Sequence, residues 1–507
     1  MRRHSASRTA LAAVSALMMA GSAAAQEKVI RVAHIGFNPQ RGQAHMAFGA
    51  QSALPLMVFM DSMMYVGDKG ELEPGLATTW RSIDKDTWEV KLRPGVKFHN
   101  DRTLDAAALV KGIEQHINHE DMKTSVVTNF LQFASARAVD AMTVEIKTKQ
   151  PNPIFDRWLV LLRPHEPAYF EEVGNKGFTN LPIGTGPFKV TNWSDSRMEA
   201  TAYRGGWRPP KVDRIVIESL TETATRVQAL QSGQIQIAWS LAADDIEKLK
   251  VSGQQVVVTP GDDVVAVKFT NLANRSEADI KPLLDTRVRQ ALNYGVNREE
   301  FVKNVLRGLT VPAGQGGPRS AYGYQPDLTP YPYDPERAKR LLSDAGYASG
   351  LKIKIELLPT NTEYTDTGQF IASDLKKIGV DIELRQTALA DFLSKFRGQK
   401  PFEGQGWIGV TENYPTLDLM RGYSSDSCSF FGKYQCDERI QPTINAANVE
   451  FDPKKRMELM RAALKHYRDE ALFMYMFERF QIDGLARNVR NYKLHNRTVN
   501  WHALELG

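Results

Sequence analysis

The sequence predicts an α/β protein whose sheets are covered by helices and whose chain forms two or three domains. Three observations predict this class. Capped helices alternate with short apolar strands along most of the chain. The 507 residues are too many for one ordinary core, and 42% of them are apolar, which suffices for several cores.

The predicted helices begin and end at recognisable residues. Asp334 is an N-cap before a proline, the following apolar positions recur at helical spacing, and Gly346 ends the helix. Asn297 and Glu300 have the spacing of a capping box, and Gly308 is the stop of that second helix.

Short strands follow the predicted helices. A helix over 225–234 leads into a strand over 235–239. Strands over 351–359 and 380–384 flank a helix whose end falls within 372–379. This alternation predicts sheets with helices packed against them.

One region has the pattern of an antiparallel sheet. Residues 86–100 contain two alternating runs separated by Pro94-Gly95, which predicts a hairpin or meander. The Gly-rich segment 184–188 lacks a lysine and a following helix. It therefore predicts a turn into a strand from Phe188 to Val190, and not a phosphate-binding loop.

Residues 1–25 have the composition of a signal peptide. Three arginines precede an apolar stretch over 10–20 that is too short to span a bilayer, and three alanines supply a cleavage site. The sequence therefore predicts ordinary secretion, with a mature chain that starts at Gln26.

Charge and cysteine content narrow the class further. Without the three arginines of the signal segment, the formal charge falls from +5 to about +2, which offers no electrostatic case for nucleic acid. Cys428 and Cys436 are the two cysteines of the sequence, and in an exported protein this pair predicts a disulfide that closes a short loop. A metal site is the lesser alternative, because two thiols without nearby ligands form an incomplete set.

The sequence contains no recognisable catalytic constellation. It lacks the phosphate-binding loop, the dinucleotide-binding glycine pattern and the Gly-x-Ser-x-Gly elbow. His116 and His119 have helical spacing that suits two metal nitrogens, but no third ligand is near, so solvated or partly packed side chains are favoured. An exported α/β chain of this kind is predicted to bind a solute, with neither a metal nor a cofactor.

Seven segments carry a more specific signal. Segment 72–110 combines a Pro-Gly-Leu-Ala approach, a tryptophan, the meander and Lys-Phe-His-Asn. Six further segments accompany it in order along the chain: 37–40, 182–193, 226–238, 288–302, 333–347 and 375–384. Together they resemble the family-5 extracellular solute-binding proteins of ABC importers, which include dipeptide-, oligopeptide- and nickel-binding proteins. The resemblance covers essentially the whole chain after residue 25.

This resemblance implies a fold like that of type II periplasmic binding proteins, with two lobes built from three domains around a ligand cleft. The first lobe is expected to hold a discontinuous domain I (26–60, 181–269 and 485–507) and an extra domain II (61–180). Domain III (270–484) is expected to form the second lobe. The resemblance also implies a periplasmic monomer that delivers its ligand to an ABC permease in the inner membrane, where separate subunits hydrolyse ATP.

The resemblance places the stretch GWIGVTENYPTLD (406–418) at the ligand cleft. In peptide-binding relatives the third residue after the tryptophan is an aspartate that pairs with the ligand's α-ammonium group. Here Trp407 is expected to be an apolar platform, and the third residue after it is Val410. A buried ammonium group needs a counter-charge, so Val410 argues against a peptide with an ordinary free amino end.

Further ligand contacts are expected around that stretch. In dipeptide-binding relatives an arginine near the loop at 360–364 holds the ligand carboxylate, whereas this loop has neither Arg nor Lys. The other expected contacts are Thr411, Glu412, Asn413, Tyr414, Asn361, Gln43 and His45.

The sequence thus predicts a non-enzymatic solute-binding component of an ABC transporter for a small polar, peptide-like solute. An opine, an oligosaccharide or a metal chelate is the alternative ligand. Two more distant alternatives are an exported hydrolase that uses the same cleft and a peptide-holding chaperone or chemoreceptor partner.

Overall fold

The structure is a computed structural model that describes residues 27–46, 50–123, 125–270, 280–358, 362–430, 432–433 and 435–507. The predicted signal segment and Asn361 lie outside these residues. The predictions made for them therefore remain predictions.

The described part of the chain forms twenty strands. Their bounds are β1 (Val29–His34), β2 (Met64–Val66), β3 (Leu72–Pro74), β4 (Ala77–Asp84), β5 (Thr87–Leu92), β6 (Phe133–Ala138), β7 (Thr143–Thr148), β8 (Phe188–Trp193), β9 (Arg197–Ala202), β10 (Arg214–Ser219), β11 (Ile237–Ala238), β12 (Gln255–Phe269), β13 (Leu351–Leu357), β14 (Val380–Gln386), β15 (Gly406–Val410), β16 (Phe473–Leu485), β17 (Val489–Arg490), β18 (Leu494–His495), β19 (Thr498–Val499) and β20 (Glu505–Leu506).

Helices separate most of these strands, as the alternating pattern predicts. Their bounds are α1 (Ala50–Leu56), α2 (Ala106–Asn118), α3 (Val126–Leu131), α4 (Phe155–Trp158), α5 (Pro167–Asn180), α6 (Thr223–Gln231), α7 (Asp245–Val251), α8 (Lys281–Leu284), α9 (Thr286–Tyr294), α10 (Arg298–Glu300), α11 (Pro335–Asp344), α12 (Thr362–Lys376), α13 (Leu389–Phe396), α14 (Leu419–Ser425), α15 (Gln441–Val449) and α16 (Pro453–Asp469). Short 3-10 turns lie at Ala44–Met46 and Trp501–Ala503, and a π-helical turn lies at Phe301–Val305.

The predicted helix starts are confirmed by their capping contacts. The Asp334 side chain accepts a hydrogen bond from the Arg337 amide at the start of α11. The Asn297 side chain accepts one from the Glu300 amide, which begins α10. These contacts satisfy amide groups that have no partner within the first helical turn.

A sheet of ten strands runs through the molecule in the order β14-β13-β15-β12-β16-β11-β1-β10-β9-β8. β13 pairs in parallel with both β14 and β15, as β1 does with β10 and β11. The long strands β12 and β16 pair antiparallel in the middle of the sheet. The mixed sheet with helices between its strands confirms the predicted α/β class.

A second sheet has the order β4-β5-β7-β6 and corrects the prediction for 86–100. Antiparallel pairing is confirmed, but β5 pairs with β4 and β7 and not with the run after Pro94-Gly95. That run forms only an isolated bridge, between Lys97 and Thr103. Its apolar residues Val96 and Phe98 are buried in the core, so hydrophobic burial takes the place of strand pairing.

The buried residues form separate cores that define two lobes. The first lobe contains one core built from residues of the N-terminal and C-terminal segments, such as Ile30 and Trp501, and another built on the four-stranded sheet, such as Phe133. The core of the second lobe extends from Val264 to Phe477. The lobes agree with the expected architecture, and the exact domain boundaries remain predictions.

The chain crosses between the lobes along β12 and returns along β16. The first half of β12 packs with Ile482 in the first lobe, whereas Val264 to Phe269 belong to the core of the second lobe. Within the described ranges, none of the helices combines the length and apolar character that a bilayer span requires. Cys428 and Cys436 form a disulfide in the second lobe.

Candidate ligand site

Strand β15 (406–410) is an interior strand of the second lobe. It pairs antiparallel with β12, with Val410 opposite Val265, and in parallel with β13. A Cβ atom at Gly409 would lie 2.0 Å from the ring of Trp407, so glycine is needed for the indole to fold over its own strand.

This packing places Trp407 inside an aromatic cluster. Its side chain is 3% exposed, stacks on Phe402 at a centroid distance of 5.6 Å and meets Phe392 edge-on at 5.0 Å. The ammonium group of Lys268 lies 4.9 Å from the same ring. The ring therefore packs in a small aromatic core of its own within the second lobe, and its role as a ligand platform stays a prediction.

The residues after β15 are tied to the strand that connects the lobes. Val410 is half-buried and packs against the core of the second lobe. The Thr411 amide donates to the Val264 carbonyl at 2.9 Å, and the Asn413 amide donates to Asp263 Oδ1 at 3.0 Å. Thr411 and Asn413 are both buried, so their backbone groups fix the path of the loop that follows.

Glu412 is more accessible than its two neighbours. Its side chain is 34% exposed and lies 3.1 Å from the guanidinium group of Arg421. The Glu412 carboxylate thus has a cation partner in the same lobe, whereas Val410 carries no charge.

Residues 411–418, termed here the site loop, meet the first lobe. The Tyr414 hydroxyl accepts a hydrogen bond from Arg163 Nη2 at 3.2 Å, and the Thr416 carbonyl accepts one from Arg157 Nη1 at 3.1 Å. Leu417 is buried in the first-lobe core formed on the four-stranded sheet. The abrupt polar end of β15 is therefore an interlobe contact.

Arg163 combines burial with open hydrogen-bonding capacity. Its side chain is 4% exposed, and no described carboxylate lies within ion-pairing distance. Nε and Nη1 have no partner among the described residues. The residue lines a small cavity, with room for roughly one water molecule, together with His45, His116 and His165.

The histidines around this cavity are neutral at physiological pH. Burial lowers the pKa of His45 to about 4 and that of His165 to about 3, and it holds the pKa of His116 well below its ordinary value. His116 is buried and exchanges a hydrogen bond with Thr128, so the prediction of a solvated or partly packed side chain is wrong for it. Arg163 is thus the one permanent cation among the residues that line this cavity.

A second set of charged groups lies where β16 leaves the second lobe. Arg479 Nε is 3.3 Å from a carboxylate oxygen of Glu363, and their side chains are 35% and 20% exposed. Burial raises the pKa of Tyr364 to about 12, and Arg479, Asp263 and Glu412 all act on it electrostatically. These groups therefore lie close together beside the site loop.

His45 lines the cavity that Arg163 also lines, and Tyr414 contacts Arg163 from the other lobe, although sequence reasoning did not connect them. Gln43 lies on the first lobe and donates to Thr179 Oγ1 at 2.6 Å. Asn361 lies outside the described residues. Among the residues that the structure describes, no group of three His, Cys, Asp or Glu side chains could hold a metal ion.

Sequence reasoning missed Arg163 and Arg479. A signal for both exists at the end of an apolar run: Arg163 directly follows 158–162, and Arg479 is the second of two charged residues that follow 473–477. A charged side chain at the end of an apolar run costs free energy to bury unless a partner compensates it. A charge at such a position therefore points to a polar surface or a ligand site.

Comparison with known proteins identifies the family. The model for bacterial extracellular solute-binding proteins, family 5 middle, matches residues 71–426. The dipeptide-binding protein of Escherichia coli (strain K12) is 26% identical over 493 residues, which cover 90% of each chain. The glutathione-binding protein GsiB of the same strain is 25% identical over 484 residues, or 91% of this chain and 90% of that one.

A solved structure agrees in fold. NikA from Brucella suis in complex with Fe(III)-EDTA has a TM-score of 0.82 and 21% identity, and the match covers 95% of this chain and 100% of that one. The family match spans more than half of the chain and includes the second sheet, the connecting strand β12 and the site loop. The chain therefore belongs to the family-5 bacterial extracellular solute-binding proteins, which serve ABC importers.

Proposed function

We propose that this chain captures a small, peptide-like solute with a free carboxylate group and delivers it to an ABC permease from outside the inner membrane. The family assignment supports the carrier role. Relatives that match about nine-tenths of the chain are named for dipeptide and glutathione, which are both peptides with carboxylate groups.

The observation that carries the proposal is the open guanidinium group of Arg163. A charged group taken out of water is costly unless a partner compensates it, and Arg163 has two N–H directions with no partner among the described residues. A ligand carboxylate would supply the counter-charge and accept two hydrogen bonds in the fork geometry of arginine. Because the cavity as it stands has room for roughly one water molecule, a ligand carboxylate would reach Arg163 after movement of the site loop that contacts it.

The amino end of the ligand is proposed to be held differently from that in peptide-binding relatives. Val410 offers no charge, and Glu412 is already paired with Arg421. A solute whose amino group is blocked, displaced or absent fits these residues better than an ordinary dipeptide does. Opines and carboxylate-bearing metal chelates share the carboxylate and remain the alternative ligands.

Replacing Arg163 with methionine is expected to weaken binding of a carboxylate ligand at least thirtyfold, because breaking a buried charge pair costs about 2–5 kcal/mol. Isothermal titration with glutathione and N-acetyl-alanyl-leucine is the measurement, after mass spectrometry has identified any solute that is carried through purification. Arg204→Met, at an exposed ion pair in the first lobe, is the matched control and should leave affinity unchanged.

Comparison of the free acid with the C-terminal amide of one ligand can contradict the proposal. If the C-terminal amide of the preferred ligand binds wild-type protein as tightly as the free acid, Arg163 does not hold a carboxylate and the proposal fails. Arg163→Lys should show an intermediate loss, since lysine keeps the charge but not the paired donors.

Val410→Asp tests the amino end. We expect alanyl-leucine to gain at least tenfold in affinity over its N-acetyl form, because the new carboxylate would face the ligand ammonium. Competition titration of the two forms measures the ratio. A ratio equal to that of wild type would show that residue 410 does not contact the amino end.

Binding without turnover is part of the proposal. Incubation of the protein with the same peptides, followed by mass spectrometry, should return the peptides intact. Cleavage that scales with protein concentration and survives further purification would favour an exported hydrolase instead.

A further inference from the structure

The two strands that connect the lobes are interrupted at the same level. Between the pairs Pro260–Phe480 and Val264–Glu478, β12 has three residues where β16 has one. A Cβ atom at Gly261 would lie 2.7 Å from the Arg479 carbonyl oxygen, so glycine is required at the start of this break. The break is the natural place for the lobes to rotate, because ladder hydrogen bonds are missing there.

The break buries two neighbouring carboxylates. Asp262 is 7% exposed and Asp263 is 1% exposed. Arg497 reaches both of them: Nε lies 2.8 Å from Asp262 Oδ2, and Nη2 lies 2.8 Å from Asp263 Oδ2. Burial and the adjacent Asp262 raise the pKa of Asp263 to about 7, although Arg497 acts in the opposite direction.

Arg497 occupies a strained position in a tight turn of the first lobe. It follows Asn496 in the two-residue connection between β18 and β19. Both residues have a positive φ, +42° for Asn496 and +58° for Arg497, which is the backbone of the primed hairpin turns. Asparagine tolerates this conformation well, but arginine does not, so the site keeps arginine despite a backbone cost.

The same turn also contacts the site loop of the second lobe. Asn496 Nδ2 donates to the Pro415 carbonyl at 2.8 Å, and the guanidinium group of Arg497 lies 4.3 Å from the centroid of the Tyr414 ring. Asp263, which Arg497 pairs with, accepts the Asn413 amide. One turn therefore contacts the break and the loop at once.

We propose that Arg497, assisted by Asn496, is a positioning residue that latches the site loop of the second lobe to the first lobe and thereby couples loop order to lobe closure. Arg497 compensates the carboxylate pair only while the break has its present shape, and Asn496 holds the loop only while the lobes are together. Opening the lobes would break both contacts in one step. This inference concerns closure and stands whichever solute the protein carries.

The surrounding charges make arginine hard to replace. Arg479 is the other cation that acts on Asp263, and it is already paired with Glu363. Without Arg497, the two carboxylates would share a buried site with that one engaged cation. Because the pKa of Asp263 is already raised to about 7, loss of Arg497 would protonate Asp263 at neutral pH. The ion pair between the break and the turn would then be lost, and the weaker acceptor would hold the Asn413 amide less tightly and release the loop.

Hydrogen exchange of the full chain, freed of carried solute by unfolding and refolding, tests the latch without any ligand. In Arg497→Met, amides of 411–418 are expected to exchange at least tenfold faster than in wild type, and small-angle scattering should show a larger radius of gyration. Arg497→Lys should fall between the two. Arg490→Met is the matched control and should match wild type, because among the described residues the Arg490 guanidinium group donates only to carbonyls of the same C-terminal segment.

A second variant guards against a folding defect in the first. Asn496→Gly removes the amide that binds Pro415 but suits the positive φ, so the turn itself is retained. It should raise exchange in 411–418 at least threefold while leaving β18 and β19 protected. Exchange in 411–418 within twofold of wild type in both variants, or an equal rise in Arg490→Met, would overturn the proposal.

Discussion

Replacing Asp418 with asparagine is expected to lower the free energy of unfolding of the second lobe by about 3–5 kcal/mol. Asp418 and Arg456 form an ion pair at 2.9 Å whose side chains are 0% and 3% exposed. Asparagine keeps nearly the same shape but leaves the arginine charge without compensation. The loss comes from that uncompensated charge, and it exceeds what the intact pair contributes over an apolar replacement.

Asp418 is also the N-cap of α14, and two substitutions separate this role from the ion pair. Its Oδ1 also accepts the Met420 amide at the start of α14, which asparagine reproduces and alanine does not. Asp418→Ala should therefore be less stable than Asp418→Asn by a further ~1 kcal/mol.

Urea unfolding followed by tryptophan fluorescence is the measurement for both variants. Asp327→Asn removes one partner of an exposed ion pair with Arg461 in the same lobe, and it should leave the unfolding curve unchanged. Equal effects of Asp418→Asn and Asp327→Asn would contradict the argument from burial.

Acid is expected to destabilise the first lobe between pH 6.5 and 4. Five of its histidines are buried and have lowered pKa values, chiefly because burial penalises the charged form: His34, His45, His99, His116 and His165. A histidine whose pKa is lower in the folded state stays neutral while the unfolded chain takes up a proton. The free energy of unfolding is therefore unaffected by such a histidine above pH 6.5, and it decreases as the pH falls towards 4.

The size of this stability loss follows from the individual pKa values of the histidines. A pKa lowered from 6.5 to about 4 corresponds to roughly 3 kcal/mol for each such histidine across this range. Three carboxyl groups in or beside the first lobe oppose the trend, because burial raises the pKa of Asp263 to about 7, that of Asp483 to about 6 and that of Asp156 above its ordinary value. Three carboxyl groups against five histidines leave a net loss of stability in acid.

His99 gives this prediction a specific variant. Its Nε2 lies 3.0 Å from the Gly186 carbonyl, and its Nδ1 accepts the Gly184 amide at 3.4 Å. Protonation of Nδ1 would place its N–H against the Gly184 N–H and destabilise the folded state. His99→Gln removes this protonation and should therefore flatten the fall in melting temperature between pH 7 and 4.5. A wild-type melting temperature that is constant over this range would contradict the prediction.

Much of the fold could be predicted because its signals are local. The caps at Asp334 and Asn297 act within one helical turn, and the alternating run at 351–357 pairs as a strand should. The predicted capping box is only half formed, because the Asn297 amide donates to the distant Asp374 and not to Glu300. The error at 86–100 has a non-local cause. Residues 96–100 have the spacing of a strand, but Val96 and Phe98 meet a core that distant segments build.

The site was predictable only in part, for the same reason. The composition of 406–418 predicts its strand and the polar loop that follows. The partners of that loop come from far along the chain: Arg163 is 251 residues from Tyr414, and Asn496 is 81 residues from Pro415. No periodicity or spacing within the sequence records those distances.

The sequence by itself determined the α/β class, the starts of the capped helices, the family resemblance and the absence of a carboxylate at Val410. Each of these depends on residue type and on neighbours within about one element. Only the tertiary structure decided that Trp407 packs in a core, that Arg163 is buried with open donors, and that the turn at Asn496 and Arg497 contacts both the strand break and the site loop. Burial and ion pairing are properties of groups brought together by folding, so they become visible only when the two lobes are in place.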